Sequence, residues 1–97
     1  MHLKIHRPTG SQEVAGLCDR ELVGTTLTEG ALNVIISPSF FGDTPVSEEE
    51  VLAALRNCDN INIFGERCIS LAVKNGIFER DSCREIAGVP YATIMRL

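Results

Sequence analysis

The sequence predicts an α+β domain, a small mixed or antiparallel sheet with two or three helices packed on it. Two helical patterns with their own start and stop signals fall in the second half of the chain. Strand-like patterns dominate the first half and close the chain. Strands and helices do not alternate regularly, as a parallel α/β fold requires. The length of 97 residues fits one domain, taken as 1–97;.

Leu3 and Ile5 alternate with His2, Lys4 and His6, the pattern of a half-buried strand;. Arg7, Pro8, Thr9, Gly10 and Ser11 form a turn, in which Pro presets one dihedral and Gly relieves the corner;. Gln12 to Cys18 then pairs back as the second strand of a hairpin. Asp19 caps a short helical turn over Arg20 to Val23, ended by Gly24;. Ala31 to Ile36 is nearly all apolar and β-branched at Val34, Ile35 and Ile36, which predicts a central strand covered on both faces;. Pro38 ends it, and Ser37 to Pro45 reads as a loop carrying Phe40 and Phe41.

The clearest helix begins at Ser47, with Glu50 three residues on completing a capping box;. Glu48, Glu49 and Glu50 lie where the helix dipole favours negative charge. Val51, Ala54, Leu55 and Cys58 fall on one face;. Ile61 to Phe64 is a short strand. Gly65 leads into a second helix, Glu66 to Asn75, with Ile69, Ala72 and Val73 inward and Gly76 as its stop;. Asp81 or Ser82 caps a third, short helix through Ile86, broken by Gly88, Val89 and Pro90. Tyr91 to Leu97 is the last strand, with Ala92 and Ile94 on one face.

Composition removes several functions. No apolar run approaches the ~20 residues of a membrane span, and the start lacks a signal-peptide core, so no membrane partner and a cytoplasmic location are expected. The net charge of −4 and nine scattered Lys and Arg residues argue against non-specific nucleic-acid binding;. Cys18, Cys58, Cys68 and Cys83 show no C-x-x-C pair, and each lies in an apolar stretch. They read as reduced, mostly buried thiols rather than disulfides or zinc ligands. No cofactor or metal is expected.

Candidate chemistry is sparse. His2, Lys4 and His6 share one strand face, but two histidines four apart stand about 13 Å apart along a strand, too far to chelate one ion readily. A solvated sheet face is the expectation. No nucleophile elbow, HExxH helix or phosphate loop is present;. The most suggestive segment is Gly65, Glu66 and Arg67. A strand, one Gly and a helix start can present backbone N–H groups to an anion, and Arg67 adds a charged fork. Glu66 opposes an anion there, and a tight corner with Glu66 serving the dipole is the competing reading. Phe40 and Phe41 cannot both point inward from an extended loop, so one becomes a partner anchor; a compact loop would bury both.

Four segments stand in order: residues 18–24 (CDRELVG), 39–42 (SFFG), 62–67 (NIFGER) and 87–90 (AGVP). Together they resemble a family of small archaeal proteins, domain of unknown function 424, over nearly the whole chain. The resemblance implies a single cytoplasmic domain, encoded in some genomes near translation factors, and brings no catalytic residues with it. The leading expectation is a non-catalytic binding module for a protein or ribonucleoprotein partner, anchored at Phe40 and Phe41. The alternative is a phosphorylated-ligand binder or enzyme using Gly65, Glu66 and Arg67. Direct RNA contact by Lys4, Arg7 and Arg96 requires the first and last strands to be neighbours. Homodimerisation through a free sheet edge is also compatible with the pattern.

Overall fold

The computed structural model describes residues 1–7 and 12–96. Among these residues, seven strands and three α-helices form an α+β domain. The strands are β1 (His2–His6), β2 (Val14–Cys18), β3 (Thr26–Glu29), β4 (Leu32–Ile35), β5 (Asn60–Phe64), β6 (Arg84–Ile86) and β7 (Val89–Met95). The helices are α1 (Pro38–Phe41), α2 (Glu48–Asn57) and α3 (Glu66–Lys74). Five strands form one mixed sheet in the order β1-β2-β5-β7-β6, and β3 and β4 form a separate hairpin. Within the large sheet, β2 and β5 run parallel and the other neighbours antiparallel.

The sheet's two faces have different fates. Leu3, Ile5, Ala15, Leu17, Ile61, Ile63, Ala92 and Ile94 alternate onto one face, and α2 and α3 close over it. Val51, Ala54, Leu55 and Cys58 of the α2 pattern, and Cys68, Ile69 and Ala72 of α3, complete that core. Ser47 Oγ accepts the Glu50 N–H, as its spacing predicts;. A second core on the other face joins Cys18 and Phe64 to Leu27, Ile36, Phe41 and Ile86, beneath α1 and the β3–β4 hairpin.

Several expectations are corrected. Ala31 to Ile36 is not a central strand. Its core, β4, lies in a separate two-stranded sheet with β3 among the described residues, and Ile35 is 68% exposed. The β-branched run buries one stripe, Val34 and Ile36, and β3 escaped notice because Thr26, Thr28 and Glu29 dilute its apolar signal. The third helix is instead a 3-10 turn, Arg80–Ser82, followed by β6. Ala87 and Gly88 both take positive φ, 51° and 78°, the requirement of a two-residue hairpin turn. The Glu29 carboxylate accepts the Ala87 N–H at 3.0 Å and ties this turn to β3. The segment around Phe40 and Phe41 is the short helix α1, started by Ser37 and Pro38;. Of the turn expected over residues 7–11, only Arg7 is among the described residues, and Leu97 is not.

No described helix is long and apolar enough to cross a membrane.

Candidate functional site

The corner at Gly65, Glu66 and Arg67 is built by β2 and β5 together. The parallel register sets Cys18 beside Phe64, so Asp19 lies beside Gly65, and the Asp19 N–H donates to the Phe64 carbonyl at 3.0 Å. Asp19 is only 4% exposed. Its carboxylate accepts the Arg67 N–H at Oδ2 and the Cys68 N–H at Oδ1, each at 3.0 Å. Those are the orphan donors of the α3 N-terminus. The anion at this corner is therefore the protein's own carboxylate, which occupies the Arg67 and Cys68 N–H groups that a phosphate would need. The side chain of Asp19 does not cap the turn over Arg20–Leu22.

Gly65 takes φ 116°, and a Cβ there would lie 2.3 Å from the Asp19 carboxyl carbon. Glycine is needed for both reasons. Arg67 turns outward to Glu21 at 3.3 Å. Glu66 bonds Arg80 and Ser70, and these hydrogen bonds hold its carboxyl below the usual range. Sequence reading located the corner but assigned Asp19 to the neighbouring turn instead of to α3, because a contact across 48 residues leaves no local signal.

Phe41 is 4% exposed and belongs to the second core, so it offers no ring to a partner. Phe40 is half-buried over Gly16, where a Cβ would come within 2.6 Å of the Phe40 carbonyl oxygen. The His6 ring stacks on Phe40, with centroids 4.8 Å apart, and His6 Nε2–H donates to the Phe40 carbonyl at 2.9 Å. Contacts continue from Phe40 to Phe41, Phe64 and Tyr91, the last pair stacked at 5.1 Å;. The expectation of a solvated His2 is overturned. It is 6% exposed, bridges to Pro45, and neither ring nitrogen has a hydrogen-bond partner among the described residues.

The Lys4, Arg7 and Arg96 patch is not assembled. Strands β2 and β5 separate β1 from β7, about 14 Å at the usual spacing. Arg7 pairs with Glu13 at 2.6 Å. The Arg96 guanidinium donates to the Leu55 and Cys58 carbonyls at the end of α2.

One open surface is part of the sheet face opposite α2 and α3. Registered rows across the strands run His6, Val14, Asn60, Met95 and Lys4, Gly16, Asn62, Thr93. Phe40 of α1 lies over the buried Gly16 and stacks on His6 within these rows, and the β3–β4 hairpin covers the far end of the face, so the open part is the strip of Asn60, Asn62, Thr93 and Met95. Met95 is 69% exposed, Thr93 is exposed, and Asn60 and Asn62 are half-buried. A cavity of about 330 Å³ adjoins it, lined by Ser82, Arg84, Tyr91, Ala92 and Thr93.

All four thiols are unpaired. Burial, with the Asp19 charge second, pushes the Cys18 thiol up to about 12. The same two causes push Cys68 up further. Burial also raises Cys58 and Cys83. None is a thiolate near neutral pH, so none is an activated nucleophile. Among the described residues, no three His, Cys, Asp or Glu side chains converge as metal ligands.

Comparison with known proteins agrees on family and fold. Residues 6–97 match the family model described as protein of unknown function (DUF424). A solved structure, an uncharacterized conserved protein from Methanopyrus kandleri, is similar at 28% identity with a TM-score of 0.77, covering 99% of this chain and 92% of that one. No curated protein matches. The chain belongs to the DUF424 family.

Proposed function

We propose that this DUF424 protein is a non-catalytic binding module for another protein, docking through the open part of the sheet face bordered by Phe40. The observation that supports it most is the uncovered strip of Asn60, Asn62, Thr93 and Met95 on rigid, paired strands, with Met95 69% exposed. Backbone pairing fixes these positions, and Phe40 and Tyr91 add half-buried rings at the margins;. Phe41 supports the surface from the core rather than touching the partner.

A protein is favoured over RNA by charge. The net charge is −4, and Lys4 is the one Lys or Arg in the two registered rows. Phosphate contact needs several cations on one surface. The four unpaired thiols, three of them buried, support a reducing, cytoplasmic setting;. The translation-linked role implied by the family resemblance is compatible with a protein surface on a ribonucleoprotein.

The test is capture by the tagged protein from lysates of its own cells, with and without nuclease, alongside Asn62→Arg and Met95→Asp. Both substitutions sit on the open strip. Capture that survives nuclease and fails in both variants is the expected result. Capture lost on nuclease treatment would assign the partner to RNA, and capture unchanged in both variants would remove the sheet face from the proposal.

A further inference from the structure

The outer edge of β7 is only partly paired. Strand β6 pairs with Val89, Pro90 and Tyr91 and stops at Arg84. The Pro90 carbonyl accepts from Gly65 and the Arg96 N–H donates to Asp59, so the even-numbered residues turn their backbone groups toward β5. Strand alternation then turns the N–H and C=O of Thr93 and Met95 outward. If β6 ran back two residues further, the Ser82 N–H would meet Thr93. It donates instead to the Glu79 carbonyl at 2.9 Å, as the chain curls into its 3-10 turn. Among the described residues, no backbone group from outside the sheet reaches Thr93 or Met95. The vacated place is the cavity lined by Ser82, Arg84, Tyr91, Ala92 and Thr93.

We infer that this edge receives an extended, acidic segment of a partner protein as an added strand on β7, in line with β6. The inference rests on the protein-binding reading above and names the partner's conformation and charge. An incoming strand reaches Thr93 and Met95 by the backbone bonds that define strand addition. Its charge follows from Arg84, the one charged residue lining the cavity, which is exposed and makes no salt bridge among the described residues. A carboxylate on the added strand fits beside it. A second copy of β7 fits less well, because the sequence VPYATIM offers Arg84 no acid. Thr93 and Met95 also belong to the open strip, so an added strand extends the docking face rather than competing with it.

The experiment is an amide NMR titration of the isotope-labelled full chain with three blocked synthetic peptides. The first alternates valine with threonine and glutamate, the second replaces glutamate by lysine, and the third carries N-methyl groups on alternate residues of the first. Shifts at Ser82, Arg84, Thr93 and Met95 with the acidic peptide are expected. Binding should weaken by about tenfold or more with the lysine peptide and vanish with the N-methylated one. Arg84→Glu should reverse the charge preference. Thr93→Pro should abolish binding, because it removes an outward N–H while leaving the β5 ladder complete. Should Thr93→Pro fail to fold, Arg84→Glu and the N-methylated peptide still decide.

Absence of shifts with any peptide at millimolar concentration would overturn the inference, as would shifts confined to Asn62 and Phe40. Either leaves capture from lysate to decide the protein-binding reading on its own. Concentration-dependent self-association that Thr93→Pro removes would assign the edge to a second copy and overturn the acidic segment.

Discussion

Asp19→Ala is expected to be among the most destabilising single changes available in this chain. It removes a carboxylate that is 4% exposed and accepts two backbone N–H groups at 3.0 Å. Hydrogen bonds to charged groups contribute ~1.5–3 kcal/mol each, and leaving a buried donor unmet costs ~1–3 kcal/mol. An ordinary cap replacement loses ~0.5–2 kcal/mol. The two donors share one carboxylate, so the effects overlap, and about 3–4 kcal/mol is the expected loss. A domain of this kind has ~5–15 kcal/mol in total. Urea unfolding followed by circular dichroism should show the midpoint falling by about 2 M. Asp19→Asn keeps one side-chain acceptor and should lose about half as much. Gly65→Ala tests the same corner from the other side, since its Cβ would sit 2.3 Å from the Asp19 carboxyl carbon. In the Asp19→Ala background that collision disappears and only the φ 116° strain remains. The double variant should therefore be less destabilised than the sum of the singles by about 1 kcal/mol or more. An Asp19→Ala loss under about 1 kcal/mol, or strict additivity with Gly65→Ala, would refute the reasoning.

Three further expectations follow from burial and ionisation. Phe41→Ala should lose about 3–5 kcal/mol in the same urea assay, as a core aromatic does; a loss under about 1 kcal/mol would place Phe41 on the surface. His2→Leu should leave stability unchanged or raise it by ~1 kcal/mol, because it removes two buried ring nitrogens with no partner;. A lower melting temperature would reveal a partner for that ring. At alkaline pH the unfolded chain ionises Cys18 from its ordinary 9.0, whereas the folded chain holds the proton to about 12. The unfolded state then binds fewer protons, so stability is intact below pH 9.0 and falls as pH rises from there toward about 12;. Cys18→Ala should flatten that fall, and an unchanged slope would contradict the protonated, buried thiol.

Local patterns were legible wherever one element carried its own signal. Ser47 with Glu50, and the apolar spacing at Val51, Ala54 and Leu55, placed α2 without reference to the rest of the chain. Alternation placed β1 and the inward face of β7, and the strand–Gly–helix pattern placed β5 and α3. The misreadings arose where a local pattern fits two environments. The apolar run at Val34, Ile35 and Ile36 suits a central strand or a one-sided hairpin, and only its pairing with β3 separates them. The segment before Ile86 suits a short helix or a strand, and the positive φ of Ala87 chose the strand.

The sequence by itself determined the α+β class, the two long helices and the Ser47 cap of α2, because periodicity and local capping are interactions among residues a few positions apart;. The tertiary structure alone decided strand order, the parallel pairing of β2 with β5, and therefore the meaning of the corner at Gly65. That register carries Asp19 across the chain into the α3 N-terminus and turns an apparent anion site into an internal cap. The same order separates Lys4 from Arg96 and leaves the edge at Thr93 and Met95 open. Such outcomes depend on which distant strands share hydrogen bonds, and a strand's own residues carry only its period and its apolar face.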